Sequence, residues 1–307
     1  MPINIPNNLP AFSTLVNEKI FVMSDEKAAK QDIRPLKVAI VNLMPTKIVT
    51  ETQLLRLLSN TPLQVDITLI KTETHNPKNT SQEHLINFYT TFNEIKDQYF
   101  DATIITGAPV ELLDFESVNY WKELCDIMEW SKSHSFSTVH ICWAAFAGLY
   151  YHYGLQKRVL DRKMFGIFPH KLCVENHPLL KGFDDIFMVP HSRYTEVSIE
   201  DIQNCPELKM LAYSDISGAY IIADSTNRQI FITGHAEYDR DTLKSEYMRD
   251  VDKGLPIDVP YNYFPDDNPN LVPPFCWRGH ASLMYSNWLN FCVYQETPFD
   301  LTQIKPL

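Results

Sequence analysis

The feature that most constrains the fold of this chain is an alternation of apolar, strand-like segments with segments of helical periodicity. The first strong segment, LKVAIVNLM at 36–44, is aliphatic and β-branched and is followed by Pro45, which is typical of a buried parallel strand. Parallel strands need a crossover between them, and the crossover is usually a helix. The alternation therefore predicts an α/β fold, a mostly parallel sheet with helices on both faces.

The predicted elements begin at residue 36 and end at residue 296. The predicted strands are 36–44, 63–70, 101–106 and 137–141, with later strands near 186–189, 209–213, 219–224 and 229–233. The predicted helices are 48–60, 81–97, 116–133, 144–153, 239–253 and 278–296. Close strand spacing within 209–233 indicates some antiparallel pairing. With no repeat or linker to divide it, the chain is predicted to form a single domain over 1–307, with 1–34 as an N-terminal arm packed on it.

Charge and glycine distribution exclude several classes of function. The formal charge of −11 provides no general attraction to nucleic acid, so we expect no such partner. No apolar run reaches the roughly 18 residues of a membrane helix, and the N-terminus does not resemble a signal peptide. The 9 glycines never lie within five residues of one another, so neither a GxGxxG nor a GxxxxGK loop is present. We therefore expect neither an NAD-type dehydrogenase nor a P-loop kinase.

The six cysteines indicate a reduced protein without a metal site. None of them form a CxxC pair and there is no HExxH motif, so a zinc site has no local support and no metal is predicted. Without an export signal, the expected location is the cytoplasm, where thiols stay free. One of these thiols is then available as a nucleophile.

Cys142 lies where a predicted strand meets a predicted helix. A short apolar strand precedes it, and WAAFAG at 143–148 follows at once. Small residues after a nucleophile permit the sharp turn of a nucleophile elbow. That geometry exposes the thiol at the carboxyl end of the sheet and at a helix N-terminus, which favours the thiolate. The alternative is one more buried structural cysteine.

His235 and Glu237 follow another predicted strand, QIFIT at 229–233. In an extended chain, residues i and i+2 point the same way, so both side chains can leave the strand end on one side. A base oriented by a carboxylate is the support that a cysteine nucleophile needs. Considered by itself, this pattern is also explained by a surface loop that contains a His and a Glu by chance, and that alternative is favoured. When Cys142 at another strand exit is considered as well, a catalytic triad is favoured.

Long collinear blocks of the chain resemble the homoserine O-acyltransferases of the MetA type. The resemblance includes Pro2-Ile3 and Leu9-Pro10 and then nearly the whole chain. The blocks are IRPLKVAIVNLMP at 33–45, LLRLLSNTPLQVDI at 54–67, TGAP at 106–109, CWA at 142–144, PHSRY at 190–194, TGHAEYD at 233–239, DVPYNYFP at 258–265, WR at 277–278 and SNWLNFCVYQETPFDL at 286–301. The resemblance implies a class I glutamine amidotransferase-like (flavodoxin-like) fold and acyl transfer through a Cys–His–Glu triad.

The same resemblance assigns a role to each matching position. Cys142 would carry the acyl group as a thioester, His235 would be the general base and Glu237 its orienting partner. Lys163, Ser192 and Arg249 match the homoserine-contacting positions. For Arg249 the alternative is an ion pair with Glu246 at i+3 spacing, and for Lys163 a solvated surface lysine. Backbone N–H groups of Trp143 and Ala108 are the predicted oxyanion hole, which is a geometric inference.

The acyl donor is predicted from position 111. In the family, glycine there goes with succinyl transfer and glutamate with acetyl transfer, and this chain has Glu111. A pocket carboxylate would repel the distal carboxylate of a succinyl group, although Glu111 could instead be a solvated loop residue.

The predicted activity is therefore that of a homoserine O-acetyltransferase in methionine biosynthesis. Its substrates would be L-homoserine and, as co-substrate, acetyl-CoA, with no further cofactor. The alternatives are a succinyl-CoA-dependent transferase, a hydrolase such as a thioesterase or glutamine amidase, and a binding protein with a degenerate triad. The oligomeric state stays open, with a homodimer as one alternative.

Overall fold

The computed structural model describes residues 3–6, 8–18, 22–23, 34–74 and 79–307. The strands are β1 (Ile3–Asn4), β2 (Val22–Met23), β3 (Leu36–Val41), β4 (Val65–Lys71), β5 (Tyr89–Thr91), β6 (Phe100–Ile105), β7 (Ser135–Ile141), β8 (Lys157–Leu172), β9 (Ile186–Val197), β10 (Leu208–Ser214), β11 (Gly218–Asp224) and β12 (Gln229–Ile232). The helices are α1 (Pro10–Asn17), α2 (Lys47–Leu58), α3 (Gln82–Phe88), α4 (Phe92–Ile95), α5 (Trp121–His134), α6 (Trp143–Tyr153), α7 (Ile199–Gln203), α8 (Thr242–Asp252) and α9 (Arg278–Asn287).

All of these strands join one 12-stranded sheet of order β2-β1-β4-β3-β6-β7-β12-β11-β10-β8-β9, with β5 beside β4. Pairing is parallel from β2 through β12 and antiparallel from β12 to β9. The antiparallel hairpins expected within 209–233 are present. The predicted α/β class with a mostly parallel sheet is confirmed.

Alternate residues of β3 show how the sheet is covered on both faces. Val38 and Ile40 pack into one buried cluster with leucines of α2, whereas Ala39 and Val41 pack into a second cluster with α5 and α6. Side chains of a strand alternate between faces, so a strand that is apolar throughout needs helices on both sides. This explains why the alternation in the sequence predicts the layers.

The predicted helix 81–97 is wrong in its middle. The chain forms α3, then the short strand β5 against β4, then α4. The Tyr89 hydroxyl donates to Oε1 of buried Glu51 at 2.6 Å, and Thr91 and Glu94 form a capping box that begins α4. The extended Tyr89–Thr91 segment forms its backbone hydrogen bonds with β4 in the sheet, and these contacts outweigh the local helical periodicity.

Two further differences concern long elements. The 16-residue strand β8 is not predicted, because its first half is charged and Pro169 interrupts its second half. The predicted helix 278–296 is α-helical only in α9, and Trp288–Tyr294 continues it as a π-helix.

The predicted N-terminal arm, 1–34, is described only in part. Strand β1 pairs with β4, and α1 packs against α2. Positions 1–2, 7, 19–21 and 24–33 of the arm lie outside the described residues. The division into one domain and an arm stays a prediction.

Candidate active site

Three neighbouring parallel strands end at one edge of the sheet and bring the predicted site together. β6, β7 and β12 pair in that order, with Ile141 opposite Ile232. The segment 107–111 follows β6, Cys142 follows β7, and 234–237 follows β12. Ligand sites of open α/β sheets lie at this carboxyl edge. Residues far apart in sequence are therefore neighbours here because their strands are.

Cys142 forms a strained turn between β7 and α6. Its backbone angles are φ 51° and ψ −115°, a conformation that is uncommon for a residue with a side chain. Its N–H donates to the Ile232 carbonyl at 2.7 Å, which ties the turn to β12. Such strain concentrates at functional sites. The turn places Cys142 as the residue before α6, at the helix end that carries a partial positive charge.

Gly107 lets the turn after β6 approach this thiol. A Cβ at position 107 would lie 3.2 Å from Cβ of Cys142 and 3.7 Å from Cε1 of His235. The next residue, Ala108, is buried. The N–H of Trp143 begins α6, where a helix has no intrahelical acceptor. The two predicted oxyanion donors thus come from segments that border Cys142, and their role stays a prediction.

His235 is held on three sides. Its N–H donates to the Pro190 carbonyl at 2.9 Å. Its Nδ1 lies 2.7 Å from Oε1 of Glu237, and its ring stacks on Tyr238 with centroids 4.1 Å apart. The Cys142 thiol is close enough for its negative form to act on the ring, and a Cβ at position 107 would lie near both residues. Cys142, His235 and Glu237 therefore form one line of interacting side chains, in which the His235–Glu237 contact is a hydrogen bond.

The charges along this line favour the imidazolium form of His235. Burial alone would lower the pKa of His235, but the anionic forms of Cys142 and Glu237 together raise it well above its ordinary value. Oε2 of Glu237 is buried and has no hydrogen-bond partner within the described parts of the chain. The carboxylate thus directs its interaction at one partner, His235, as an orienting group should.

Two of the predicted substrate residues meet on one carboxylate. Ser192 of β9 donates to Oε2 of Glu246 at 2.5 Å, and Nζ of Lys163 lies 3.4 Å from the same oxygen. Lys163 lies where the β8–β9 register shifts between Val159 and Met164, and such bulges re-aim side chains. The interpretation of Lys163 as a solvated lysine is wrong, since its side chain is only 11% exposed.

Glu246 is the site residue that the sequence analysis missed. Its Oε1 accepts a hydrogen bond from the Tyr238 hydroxyl at 3.0 Å, in addition to the contacts with Ser192 and Lys163. From the sequence, Glu246 is expected only as an ion-pair partner of Arg249. Residues i and i+3 of a helix share a face, and this signal was sufficient to place Glu246 beside the same cleft as Arg249.

Arg249 does not form an ion pair with Glu246, which was the alternative to a substrate-binding role, but one with Asp250. Its Nε and Nη2 bind the two carboxylate oxygens of Asp250 at 2.7 and 3.0 Å. The Arg249 side chain is 52% exposed at the cleft, while Asp250 is nearly buried. The remaining guanidinium N–H groups are therefore available to a second carboxylate.

Glu111 points into the same cleft. Its Oε2 accepts from the Tyr194 N–H at 2.8 Å and lies 3.5 Å from Oγ1 of Thr195. Burial raises the pKa of this carboxyl, although the Tyr194 N–H and the positive charge of Lys163 oppose that shift. The alternative of a solvated loop residue is wrong, and the role in donor choice stays a prediction.

These residues line one open cleft of about 2080 Å³. The predicted residues on its wall are Ala108, Glu111, Cys142, Lys163, Ser192, His235, Glu237 and Arg249. Trp143 differs, since its side chain is fully buried and does not line the cleft, and the predicted role concerns only its backbone N–H. Within the described ranges, no group of three potential metal ligands occurs, and no helix is long and apolar enough to cross a membrane.

Comparison with known proteins identifies close relatives over the whole chain. A family model described as homoserine O-succinyltransferase matches residues 2–299. The homoserine O-acetyltransferase of Acetivibrio thermocellus is 59% identical over 305 residues, 99% of this chain and 100% of the relative. That of Clostridium acetobutylicum is 59% identical over 301 residues, 98% of this chain and 100% of the relative.

Solved structures show the same fold at low identity. A glutamine amidotransferase from Thermotoga maritima aligns with a TM-score of 0.56 and 11% identity, over 85% of this chain and 99% of that one. One from Methylobacillus flagellatus aligns with a TM-score of 0.52 and 10% identity, over 84% and 95%. The predicted glutamine amidotransferase-like fold is confirmed.

Proposed function

The chain belongs to the homoserine O-acyltransferase family, and from this premise we propose that its cleft moves an acetyl group from acetyl-CoA to the hydroxyl of L-homoserine through a thioester on Cys142. The observation that carries the proposal is the Cys142–His235–Glu237 line in a cleft with charges of both signs. The family model is described by the succinyl reaction, whereas relatives at 59% identity are named acetyltransferases. The acetyl donor is therefore favoured over the succinyl donor.

In the first half-reaction, the Cys142 thiolate attacks the thioester carbonyl of acetyl-CoA. N–H groups of Trp143 and Ala108 are suited to hold the oxyanion that develops. The intermediate collapses by breaking the bond to the CoA sulfur, which takes a proton from the His235 imidazolium. The enzyme is then acetylated on Cys142, His235 is neutral, and free CoA leaves.

In the second half-reaction, the hydroxyl oxygen of homoserine attacks the carbonyl carbon of the Cys142 thioester, and neutral His235 takes the hydroxyl proton. The bond from the acetyl carbon to sulfur breaks, and O-acetyl-L-homoserine leaves. The thiolate and imidazolium are restored, so the proton balance closes over the two half-reactions. Glu237 stabilises the imidazolium in both of them.

Homoserine carries an ammonium, a carboxylate and a hydroxyl, and the cleft offers a partner for each. Glu246 is suited to the ammonium, and the free N–H groups of Arg249, with Lys163 nearby, to the carboxylate. Ser192 holds Glu246 in place. The hydroxyl is then the group left to face His235 and the thioester.

Arg249→Lys is expected to raise the KM for homoserine about tenfold, with little change in the KM for acetyl-CoA. Lysine keeps the positive charge but loses the two-pronged hydrogen bonding. Steady-state kinetics with each substrate varied in turn measure the split. Arg158→Lys is the control, because Arg158 forms a surface pair with Glu196 and does not line the cleft. Equal effects on both KM values would mean that Arg249 is structural.

Glu111→Gly is expected to move donor preference several-fold toward succinyl-CoA. The carboxylates of Glu111 and a succinyl group, if about 4 Å apart, would repel by about 4 kcal/mol at an effective dielectric of ~20. A quarter of that repulsion already changes the ratio of kcat/KM for the two donors several-fold. A complete exchange is not expected, because a succinyl pocket also needs a cation for the carboxylate. The measurement compares kcat/KM for both donors in wild type, Glu111→Gly and the exposed neighbour control Glu116→Gly. An unchanged ratio would contradict the role of Glu111.

Release of CoA thiol with and without homoserine tests the reaction class. A transferase requires homoserine for turnover, a thioesterase does not, and a binding protein releases no thiol in either case. Thiol release that does not respond to homoserine would contradict the proposal. The partners of this activity are small molecules, and a homodimer and a cytoplasmic location stay predictions. All six cysteines are free, as a cysteine nucleophile requires.

A further inference from the structure

Arg193 is a buried cation without a carboxylate partner. The residue is 1% exposed, although it lies in β9 next to Ser192 of the cleft. Its Nε donates to Nδ1 of His191 at 3.3 Å, and its terminal nitrogens donate to the carbonyls of Thr195, at 2.6 Å, and Ser217. No ion pair to it is found in the described ranges. Charged side chains are almost never fully buried unless they are paired, so this position requires an explanation.

The groups that bind Arg193 do not cancel its charge. His191 accepts a hydrogen bond from it, and burial holds the pKa of His191 well below its usual range, so the imidazole is neutral. Next to it, Nε2 of His170 lies 3.1 Å from Nε2 of His191, and burial lowers the pKa of His170 to about 3. The guanidinium itself stays charged, because arginine is not deprotonated in proteins.

The negative forms of Cys142, Glu196 and Glu111 oppose the lowering of the Arg193 pKa that burial causes, so all three groups are near enough to interact with its charge. Glu196 already has a cation, Arg158, at 2.8 Å. Glu111 accepts from backbone and hydroxyl groups of β9. His235 also interacts with Cys142, but it shares its charge with Glu237, which binds its Nδ1 at 2.7 Å.

The position of Arg193 relative to α6 is consistent with an action of its charge on Cys142. Its guanidinium carbon lies 5.8 Å from the ring centroid of Phe146, one helical turn after Cys142. The charge thus lies beside the first turn of α6, and Arg193 does not line the cleft.

We propose that Arg193 is a positioning residue whose buried charge, next to the first turn of α6, keeps Cys142 in its thiolate form. The inference rests on the proposed function, in which Cys142 is the nucleophile. The thiolate exists before acetylation and returns when the acetyl group leaves. Arg193 therefore stabilises both the attacking group of the first half-reaction and the leaving group of the second.

The test is the pH dependence of Cys142 alkylation by iodoacetamide, followed on the Cys142 peptide by mass spectrometry. In Arg193→Gln the midpoint is expected to rise by about one pH unit, which slows alkylation about tenfold below the midpoint. The sign follows because a cation favours the thiolate, so its removal delays thiol ionisation to higher pH. Glutamine keeps amide donors for the carbonyls of Thr195 and Ser217. Arg193→Lys keeps the charge, and its midpoint is expected to stay close to that of wild type.

The matched control is Arg228→Gln. Arg228 is also buried and donates to the carbonyls of Phe136 and Lys305 at 2.7 Å each, but it does not line the cleft. A wild-type midpoint in Arg193→Gln overturns the inference. An upward shift of a full unit in Arg193→Lys also overturns it, whether or not the glutamine variant folds, because packing rather than charge is then responsible. Full turnover in Cys142→Ser would instead overturn the proposed function.

Discussion

Cys142→Ser is expected to reduce acetyl transfer by at least about 10⁴-fold while the fold stays intact. The substitution exchanges one buried atom, and the backbone contact of residue 142 with Ile232 does not depend on the side chain. A serine hydroxyl does not ionise near neutral pH, so the imidazolium–thiolate pair and the thioester cannot form.

Two measurements check this expectation. Intact-mass analysis of wild type mixed with acetyl-CoA should show a single acetyl adduct that disappears when homoserine is added, and the variant should show none. Cys292→Ser is the control, since Cys292 is a buried free cysteine that does not line the cleft. Normal turnover in Cys142→Ser would refute the covalent mechanism.

His235→Ala is expected to reduce the rate by about 10²–10⁴-fold, the range for a lost general acid–base group. Both half-reactions transfer a proton to or from the His235 ring, so both should be slower in the variant than in wild type. Glu237→Ala should lose less, because Glu237 orients and stabilises the ring but transfers no proton. Single-turnover kinetics of acetylation, and of transfer from the acetylated enzyme, measure each step.

His177→Ala is the control for this series. Its side chain is half-buried, binds Asn227 and lies away from the cleft. A larger loss in Glu237→Ala than in His235→Ala would mean that the roles of base and orienting group are assigned wrongly. Equal losses in all three variants would point to a general loss of structure, which thermal unfolding would detect.

Most of the sheet, and the proximity of Cys142, His235 and Glu237, could be predicted because their signals are local. Apolar runs such as that in β3 identify strands that are buried on both faces. The small residues after Cys142 permit the elbow with its positive φ, and the spacing of His235 and Glu237 puts both side chains on one side of a strand exit.

The predictions that failed concern segments whose structure depends on a distant partner. The Tyr89–Thr91 strand exists because β4 offers it an edge and Glu51 binds the Tyr89 hydroxyl. The charged first half of β8 reads as a loop until β9 pairs with it. Local periodicity carries no information on such partners.

The sequence by itself determined most of the elements, the α/β class, the family and the residue types at each strand exit, because periodicity, turn residues and long collinear blocks are properties of the chain alone. Only the tertiary structure decided which charges share a site. Glu246 gathers Ser192, Lys163 and Tyr238 because a bulge and a strand order bring four elements together. That Arg193 is buried without an ion pair among the described residues is evident only from the folded structure, since burial and pairing are properties of the folded neighbourhood and not of a residue type.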